Sequence, residues 1–341
     1  MPASMMMLAG CVTSSGPIEP VVPTLSLTAD AETVPVGTTN QDAADDPAIW
    51  RNAENPAASL IIGTDKKAGL YVYGMDGSKK SFLPEGQLNN VDLRETVVGG
   101  EKVVLVGASV RNDRLNGHVG LYRLNPKTAE LSSLAKIPAG PGEAYGFCFG
   151  QDAGGEVFAY MIEKSGYIRE IEMSLDAVPL KSRITREHKL ATQPEGCVVD
   201  DRTGKLYVGE ENRGIWIFDL NDDAFTPQLF ANINGRELVA DVEGLALAPK
   251  GDAGGFLVAS SQGDNSYVLY DLSSRDYVNR IQLVDGDVDG TSETDGIEVK
   301  LGNFGPDYPD GLMVVQDGTN ENRTQNFKLI SWKKVADVVA K

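Results

Sequence analysis

The chain has 341 residues, 41% hydrophobic and 23% charged, the composition of a folded globular protein with one large domain or two ordinary ones. Its 31 basic and 49 acidic side chains give a formal net charge of -18, which repels nucleic acid and anionic membrane surfaces, argues against both as partners, and tolerates divalent cations. The three cysteines, Cys11, Cys148 and Cys197, form no CxxC, which argues against a zinc ribbon or a thioredoxin-like motif.

At the N-terminus, Leu8-Ala9-Gly10-Cys11 matches a bacterial lipobox, in which the cysteine is lipidated and becomes the mature first residue. The short apolar stretch before it carries no Lys or Arg, so residues 1–11 read as a partial signal peptide. Residues 12–24, rich in Ser, Pro, Thr and Val, read as a tether, and residues 25–341 as one folded domain. Export follows as the expectation: periplasmic, outer-membrane lipoprotein or extracellular, with membrane contact only through a lipid on Cys11. No apolar stretch is long enough to span a bilayer.

From there on an internal repeat dominates. One strand-like series begins at Asp46 (DPAIW), Asn90 (NVDL), Tyr145 (YGFCF), Glu195 (EGCVV), Glu243 (EGLAL) and Asp295 (DGIEV). A second series reads LIIGTD, VVLVGAS, VFAYMIE, KLYVGEE, FLVASSQ and LMVVQDG. The third begins at Gly69 (GLYVY), Gly120 (GLYRL), Gly166 (GYIREI), Gly214 (GIWIF), Ser266 (SYVLY) and Asn326 (NFKLISW). Each series recurs about every 50 residues, with period-two alternation and β-branched or aromatic enrichment. A fourth strand fits in the segments between. The spacing predicts an all-β fold, a six-bladed β-propeller of four-stranded antiparallel sheets; a two-sheet sandwich fits six matched copies poorly. The strand-like segment 26–36 is expected to pair with the last blade and close the ring, which removes exposed sheet edges. Only Val335 to Lys341 looks helical. Cys148 and Cys197 lie in apolar strands and read as buried thiols; a disulfide between them is compatible with the sequence, but nothing argues for it.

The first series is the candidate innermost strand, so its leading residues would gather at one mouth of a central channel. Five of the six carry a carboxylate or an amide. Asp45, Asp92, Asp241, Asp289 and Glu293 lie beside them, and Glu210 and Glu211 close the next strand of the Glu195 blade. So many carboxylates cannot stay ionised together without raised pKa values or bound cations. Oxygen ligands alone in a roomy, flexible set favour calcium. Lys66, Lys67, Arg111 and Lys164 fall at corresponding strand ends, on the same side. Carboxylates that hold a metal, beside Arg and Lys, suit phosphate esters. Any one of these charges alone reads as a solvated turn residue; the six-fold register lifts the set above that.

In this order and spacing, the stretches DAADDPAIW (42–50), DKKAGLYVY (65–73), LNNVDLR (88–94), EAYGF (143–147), PEGCVVDD (194–201), KLYVGEE (205–211), ADVEGL (240–245), SSQGDNSY (260–267), DGTSETDGI (289–297) and QNFKLISW (325–332) resemble the β-propeller phytases of bacilli and other bacteria. The resemblance covers Gln41 to Trp332. It implies a calcium-dependent phosphomonoester hydrolase that releases phosphate from phytate, with several Ca2+ ions at one channel mouth and phytate binding as its calcium complex. It places Glu195, Glu211, Asp241, Glu243, Asp289 and Asp295 on acidic active-site positions, and Lys66, Arg111, Tyr145 and Lys164 on substrate-phosphate positions. Asp46, with Asp45, is the first calcium-proximal pair. Glu293 stands where the family often has Asp, and the loop QDGTN (316–320) departs from the family pattern after its first three residues. A monomer is expected.

Other phosphatase chemistries fail by inventory. His118 and His188 are the two histidines, neither in an RHGxRxP sequence and both expected at the surface; neither Cys148 nor Cys197 heads a CxxxxxR loop. Two rivals remain, a calcium-stabilised adhesion module and a calcium-dependent lactonase or esterase on a similar propeller. Neither has a use for Lys66, Arg111 and Lys164 in register with the acids.

Overall fold

The computed structural model describes residues 22–39, 42–321 and 323–339. The expected signal segment with Cys11, and residues 12–21 of the tether, lie outside them. Two short strands, β1 (Leu25–Leu27) and β2 (Ala31–Glu32), precede the blades. Blade one holds β3 (Ala44–Trp50), β4 (Leu60–Asp65), β5 (Gly69–Gly74) and β6 (Lys79–Pro84). Blade two holds β7 (Leu88–Val98), β8 (Glu101–Val110), β9 (Asn116–Asn125) and β10 (Glu130–Pro141). Blade three is β11 (Ala144–Gln151), β12 (Val157–Glu163), β13 (Tyr167–Ser174) and β14 (Lys181–Lys189); blade four is β15 (Pro194–Asp200), β16 (Lys205–Glu210), β17 (Gly214–Asp219) and β18 (Gln228–Asn232). Blade five is β19 (Val242–Lys250), β20 (Gly254–Ser261), β21 (Ser266–Asp271) and β22 (Tyr277–Leu283), and blade six has β23 (Ile297–Leu301), β24 (Gly311–Asp317) and β25 (Asn326–Ser331) from the C-terminal end. The three repeat series are the first, second and third strands of each blade, antiparallel throughout, so the molecule is a six-bladed propeller.

Blade six takes its fourth strand from the other end of the chain: β2 pairs antiparallel with β25, Ala31 opposite Leu329 and Glu32 opposite Lys328. The strand-like 26–36 segment therefore closes the ring as expected. It also does more, because β1 adds a fifth, parallel strand to blade five, Leu25 opposite Ile281. The C-terminal helix α1 (Trp332–Val339) starts three residues earlier than expected and buries Trp332 and Val335 against blades five and six.

Six hydrophobic clusters form, one between each pair of neighbouring blades. Leu60, Val72, Val91 and Val106 belong to the one between blades one and two, and Ile49, Ile61, Val314 and Phe327 to the one that joins blade six to blade one. Alternate faces of one strand feed two different clusters, which is why β4 (LIIGTD) is apolar on both sides and wholly buried.

The first strands β3, β7, β11, β15, β19 and β23 neighbour one another around the axis. Near the mouth their backbones almost touch. A Cβ on Gly146 would stand 1.8 Å from the Glu195 carbonyl oxygen, and one on Gly196 2.1 Å from that of Glu243, so only glycine fits after Tyr145 and after Glu195.

Cys148 on β11 and Cys197 on β15 are joined by a disulfide, Cα atoms 5.7 Å apart; they are not free thiols. Their sequence separation of 49 is one blade repeat, so the pair occupies like positions on adjacent inner strands, the closest part of the ring. A cross-link over such a loop stabilises by roughly 3–4 kcal/mol, mainly by restricting the unfolded chain. Replacing both cysteines by serine should lower the unfolding midpoint by about 5–10 °C. Peptide mapping without reductant should recover Cys148 and Cys197 in one cross-linked fragment; separate fragments would show that the bond does not form.

Candidate active site

Five of the six blades open with the same irregularity. In blades one to five the pairing of first and second strands slips by one residue, between Ala44 and Pro47, Leu88 and Val91, Ala144 and Phe147, Pro194 and Cys197, and Val242 and Leu245. Such a bulge carries one extra residue and re-aims its side chain. The bulged pairs are Asp45-Asp46, Asn89-Asn90, Tyr145-Gly146, Glu195-Gly196 and Glu243-Gly244. In each of the last three the first member aims into the mouth, so Asp45 and Asn89 are the matching residues of blades one and two.

Contacts agree with that register. Asp45 lies 2.9 Å from the Lys66 ammonium, and Asn89 donates to Glu195 Oε1 at 2.6 Å. Asp46, expected as a metal ligand, instead accepts the Val91 N–H at 3.0 Å. Burial and then Asp45 push its carboxyl well up, with Glu298 and Asp92 adding to it. Asp92 does not reinforce this mouth either: it pairs with Arg94 and takes the Phe149 N–H. Asp46, Asp92, Arg94 and Glu298 line a larger cavity, about 1230 Å³, at the other end of the first strands. The smaller cavity, about 420 Å³, holds the chemistry: Lys66, Tyr145, Glu195, Glu211, Asp241, Glu243 and Asp295 line it, with Asp42, Gln193, Gln262, Glu293 and Gln325.

A second ring is built by the residue that follows each second strand. Lys66, Arg111, Lys164, Glu211, Gln262 and Gly318 each donate a backbone N–H to a carbonyl just before the first strand, at 2.6, 2.8, 3.1, 3.0, 3.0 and 2.7 Å, the acceptors being Ala43, Gln87, Glu143, Gln193, Asp241 and Ser292. Equal hydrogen bonds put the six residues at equal height. The first three are cations, on blades one to three; the others are an acid, an amide and a glycine. The mouth is therefore divided, with cations on one side and Glu195, Glu211, Asp241, Glu243 and Asp295 on the other.

On the cationic side, the Tyr145 ring lies between the Arg111 guanidinium at 5.0 Å and the Lys164 ammonium at 4.6 Å. Arg111 is held by Glu143 and Asn89, whereas Lys164 has no carboxylate within 4.0 Å among the described residues. Burial, then Glu195 and Glu243, push the Tyr145 hydroxyl pKa far up, so it stays a donor. Lys66 bridges the two sides, 2.9 Å from each of Asp42, Asp45 and Asp295. Burial opposes its charge, but Asp45, Asp295 and Asp42 outweigh it and hold its pKa well above the usual lysine value.

On the acidic side, Glu195, Glu211 and Glu243 bring one oxygen each within 4.8 Å of one another. Burial raises all three. Glu195 and Asp295 push Glu243 up further; Asp45 pushes Glu195 up while Lys66 pulls it down. The Glu211 carboxyl is raised to about 7, burial outweighing its hydrogen bond from Gln193, with Glu195 and Asp241 adding repulsion. Burial also raises Asp241, and raises Asp295 well above its usual range against the pull of Lys66. Glu243 Oε2 is buried without a hydrogen-bond partner. A buried acceptor left open, among oxygens alone, fits a hard cation.

Asp289 is not in this cavity. It pairs with the buried ammonium of Lys328 at 2.5 Å, which also meets Glu32 at 2.7 Å and Asp317 at 3.3 Å, at the seam where the chain ends close the ring. Glu210 turns away to the Thr192 N–H and Trp216 Nε1, and Lys67 is exposed. His118 and His188 are half-buried at the surface, His188 edge-on to Phe218. The residues that sequence reasoning passed over are Asp42 and the amides Asn89, Gln193, Gln262 and Gln325. Gln262 donates to Asp295, and Gln325 accepts the N–H groups of Ala43 and Ala44 at 2.6 and 2.9 Å, which fixes the turn that carries Asp45.

A carboxyl group with a raised folded pKa keeps its proton in the native state while the unfolded chain has lost it. The metal-free protein should therefore lose stability as pH rises from the ordinary carboxylate range, about 4, through the Glu211 value of about 7. Unfolding of metal-free protein should show a lower midpoint at pH 8 than at pH 5.5. Equal midpoints would mean that the cluster is not crowded as described.

Comparison with known proteins agrees with the geometry. The sequence model of the family described as Phytase matches residues 3–341. The chain is 38% identical over 327 residues to a 3-phytase of Bacillus subtilis (strain 168), covering 91% of this chain and 84% of that protein. A chain in the crystal structure of a mitotic checkpoint complex superposes with a TM-score of 0.52 at 14% identity, over 91% of this chain and 83% of its own length; that likeness is one of fold alone. The protein belongs to the phytase family.

Proposed function

We propose that the chain is a calcium-dependent phosphomonoester hydrolase of the 3-phytase type, which releases phosphate from phytate by direct attack of water, with no covalent enzyme intermediate. One observation carries this reading: a cluster of carboxylates lines a cavity whose lining residue Tyr145 lies beside the cations Arg111 and Lys164. Phytate is a dense polyanion, and an acidic protein repels it. The division answers that, since the substrate's phosphates can meet Lys164, Arg111 and Tyr145 while its counter-ions meet the carboxylates.

Glu195, Glu211 and Glu243 would hold calcium, with Asp241 and Asp295 beside them. Calcium bound there would supply Lewis-acid polarisation of a phosphate oxygen and a more acidic water. The chain's own groups do the rest. Lys164, with no carboxylate partner among the described residues, and Arg111 neutralise charge on the phosphate oxygens, where preorganised donors are worth most. The Tyr145 hydroxyl, held protonated, donates to a phosphate oxygen. Lys66 stays charged and ties Asp45 to Asp295, which keeps the ring from spreading. Among the described residues no cysteine, histidine or serine lines the cavity, in keeping with a direct displacement.

We further propose that the protein is exported. Leu8-Ala9-Gly10-Cys11 supports this, and so does the disulfide, a bond that persists in oxidising compartments. A monomer suffices, since one chain supplies every wall of the cavity.

Phosphate release from phytate should require calcium and stop on chelation. Glu195→Ala should lower kcat by at least about 100-fold with an unchanged circular dichroism spectrum. Near-normal turnover in that variant, or activity that survives chelator, would reject the assignment.

A further inference from the structure

Gln193 stands in blade four where Glu143 stands in blade three and Asp241 in blade five. Each gives its carbonyl to the residue that follows the second strand, at 3.0 Å for Gln193 to Glu211, 3.1 Å for Glu143 to Lys164 and 3.0 Å for Asp241 to Gln262. Blades three and five put a carboxylate there; blade four puts an amide. Its side chain lies on the border between the two walls. Nε2 donates to the Tyr145 hydroxyl oxygen at 3.3 Å and to Glu211 Oε1.

We infer that Gln193 is a positioning residue that couples the phosphate-binding wall to the cation-binding wall. The inference rests on the phosphate-ester reading above. An amide NH2 has two N–H groups, and here one meets each wall. A donor on the Tyr145 oxygen occupies a lone pair and turns the hydroxyl's own proton outward, towards Glu195 or a phosphate oxygen. A donor on Glu211 Oε1 fixes that carboxylate and leaves its second oxygen for a cation. A carboxylate at this position, as in the neighbouring blades, could do neither, because it only accepts hydrogen bonds once ionised.

The test uses the full chain with Gln193→Met, which keeps the volume and removes both donors, alone and combined with Tyr145→Phe. Gln193 is only partly buried, and thermal unfolding should match the parent in each case. At saturating calcium, Gln193→Met should raise the KM for phytate about fivefold in the wild-type background, the scale of one lost hydrogen bond, and not at all in the Tyr145→Phe background. Calorimetric titration of metal-free protein with calcium chloride should show an affinity about fivefold weaker in both backgrounds. An undiminished KM effect in the Tyr145→Phe background, or a calcium affinity equal to wild type, would overturn the coupling. If wild-type protein releases no phosphate from phytate, the functional reading fails by itself, and the calorimetry still decides whether Gln193 holds Glu211.

Discussion

Repulsion among carboxylates is the constraint to which the rest of this channel mouth answers. Glu195, Glu211, Asp241, Glu243 and Asp295 share a cavity of about 420 Å³, and burial removes the water that would screen them. Three devices keep such a cluster in a folded protein: protons retained at raised pKa, a cation supplied by the chain, and a cation taken from solution. The first shows in Glu211, Glu243 and Asp295, the second in Lys66, and the third is what the open oxygen of Glu243 invites. A binding site and a destabilised native state are here the same arrangement of charges.

Holding that arrangement requires a rigid frame. The inter-blade clusters make every blade lean on two neighbours, and closure of blade six by β2 leaves no break through which the repulsion could open the ring. At the tightest point the glycines after Tyr145 and Glu195 let neighbouring backbones come within reach, and the Cys148–Cys197 bond locks those same two strands. The seam where the chain ends meet is fastened by Lys328 among Glu32, Asp289 and Asp317. Blade order then becomes chemistry: the residue that follows the second strand is a cation in blades one to three and is not in the others, so position around the ring sets the sign of the charge.

Much of this was legible in the sequence because a propeller repeats one environment six times. The three strand series, the closing role of residues 26–36, and the set Lys66, Arg111, Tyr145, Lys164, Glu195, Glu211, Asp241, Glu243 and Asp295 came from register and family likeness together, and the structure places those nine around one mouth. The places where contacts differ from the expected pattern are just as physical. In blades one and two the bulge falls on doublets, Asp45-Asp46 and Asn89-Asn90, whose two members are the same residue type, so the pattern could not say which one turns inward; the glycine after Tyr145, Glu195 and Glu243 removes that ambiguity elsewhere. Asp289 lies in the loop before β23, and only three-dimensional contact shows Lys328 beside it. Gln193, Gln262 and Gln325 carry no charge and drew no notice, although Gln193 shares its blade position with Glu143 and Asp241. The disulfide joins residues one repeat apart, a spacing that has meaning only once the ring is known.

The division of the mouth is best tested by a crystal structure of the protein with calcium and a non-hydrolysable inositol polyphosphate. Anomalous signal from the metal should lie among Glu195, Glu211 and Glu243, with the nearest phosphate against Lys164, Arg111 and Tyr145. Metal found only at the opposite mouth, or phosphate seated away from Lys164 and Arg111, would contradict a site split between an acidic and a cationic wall.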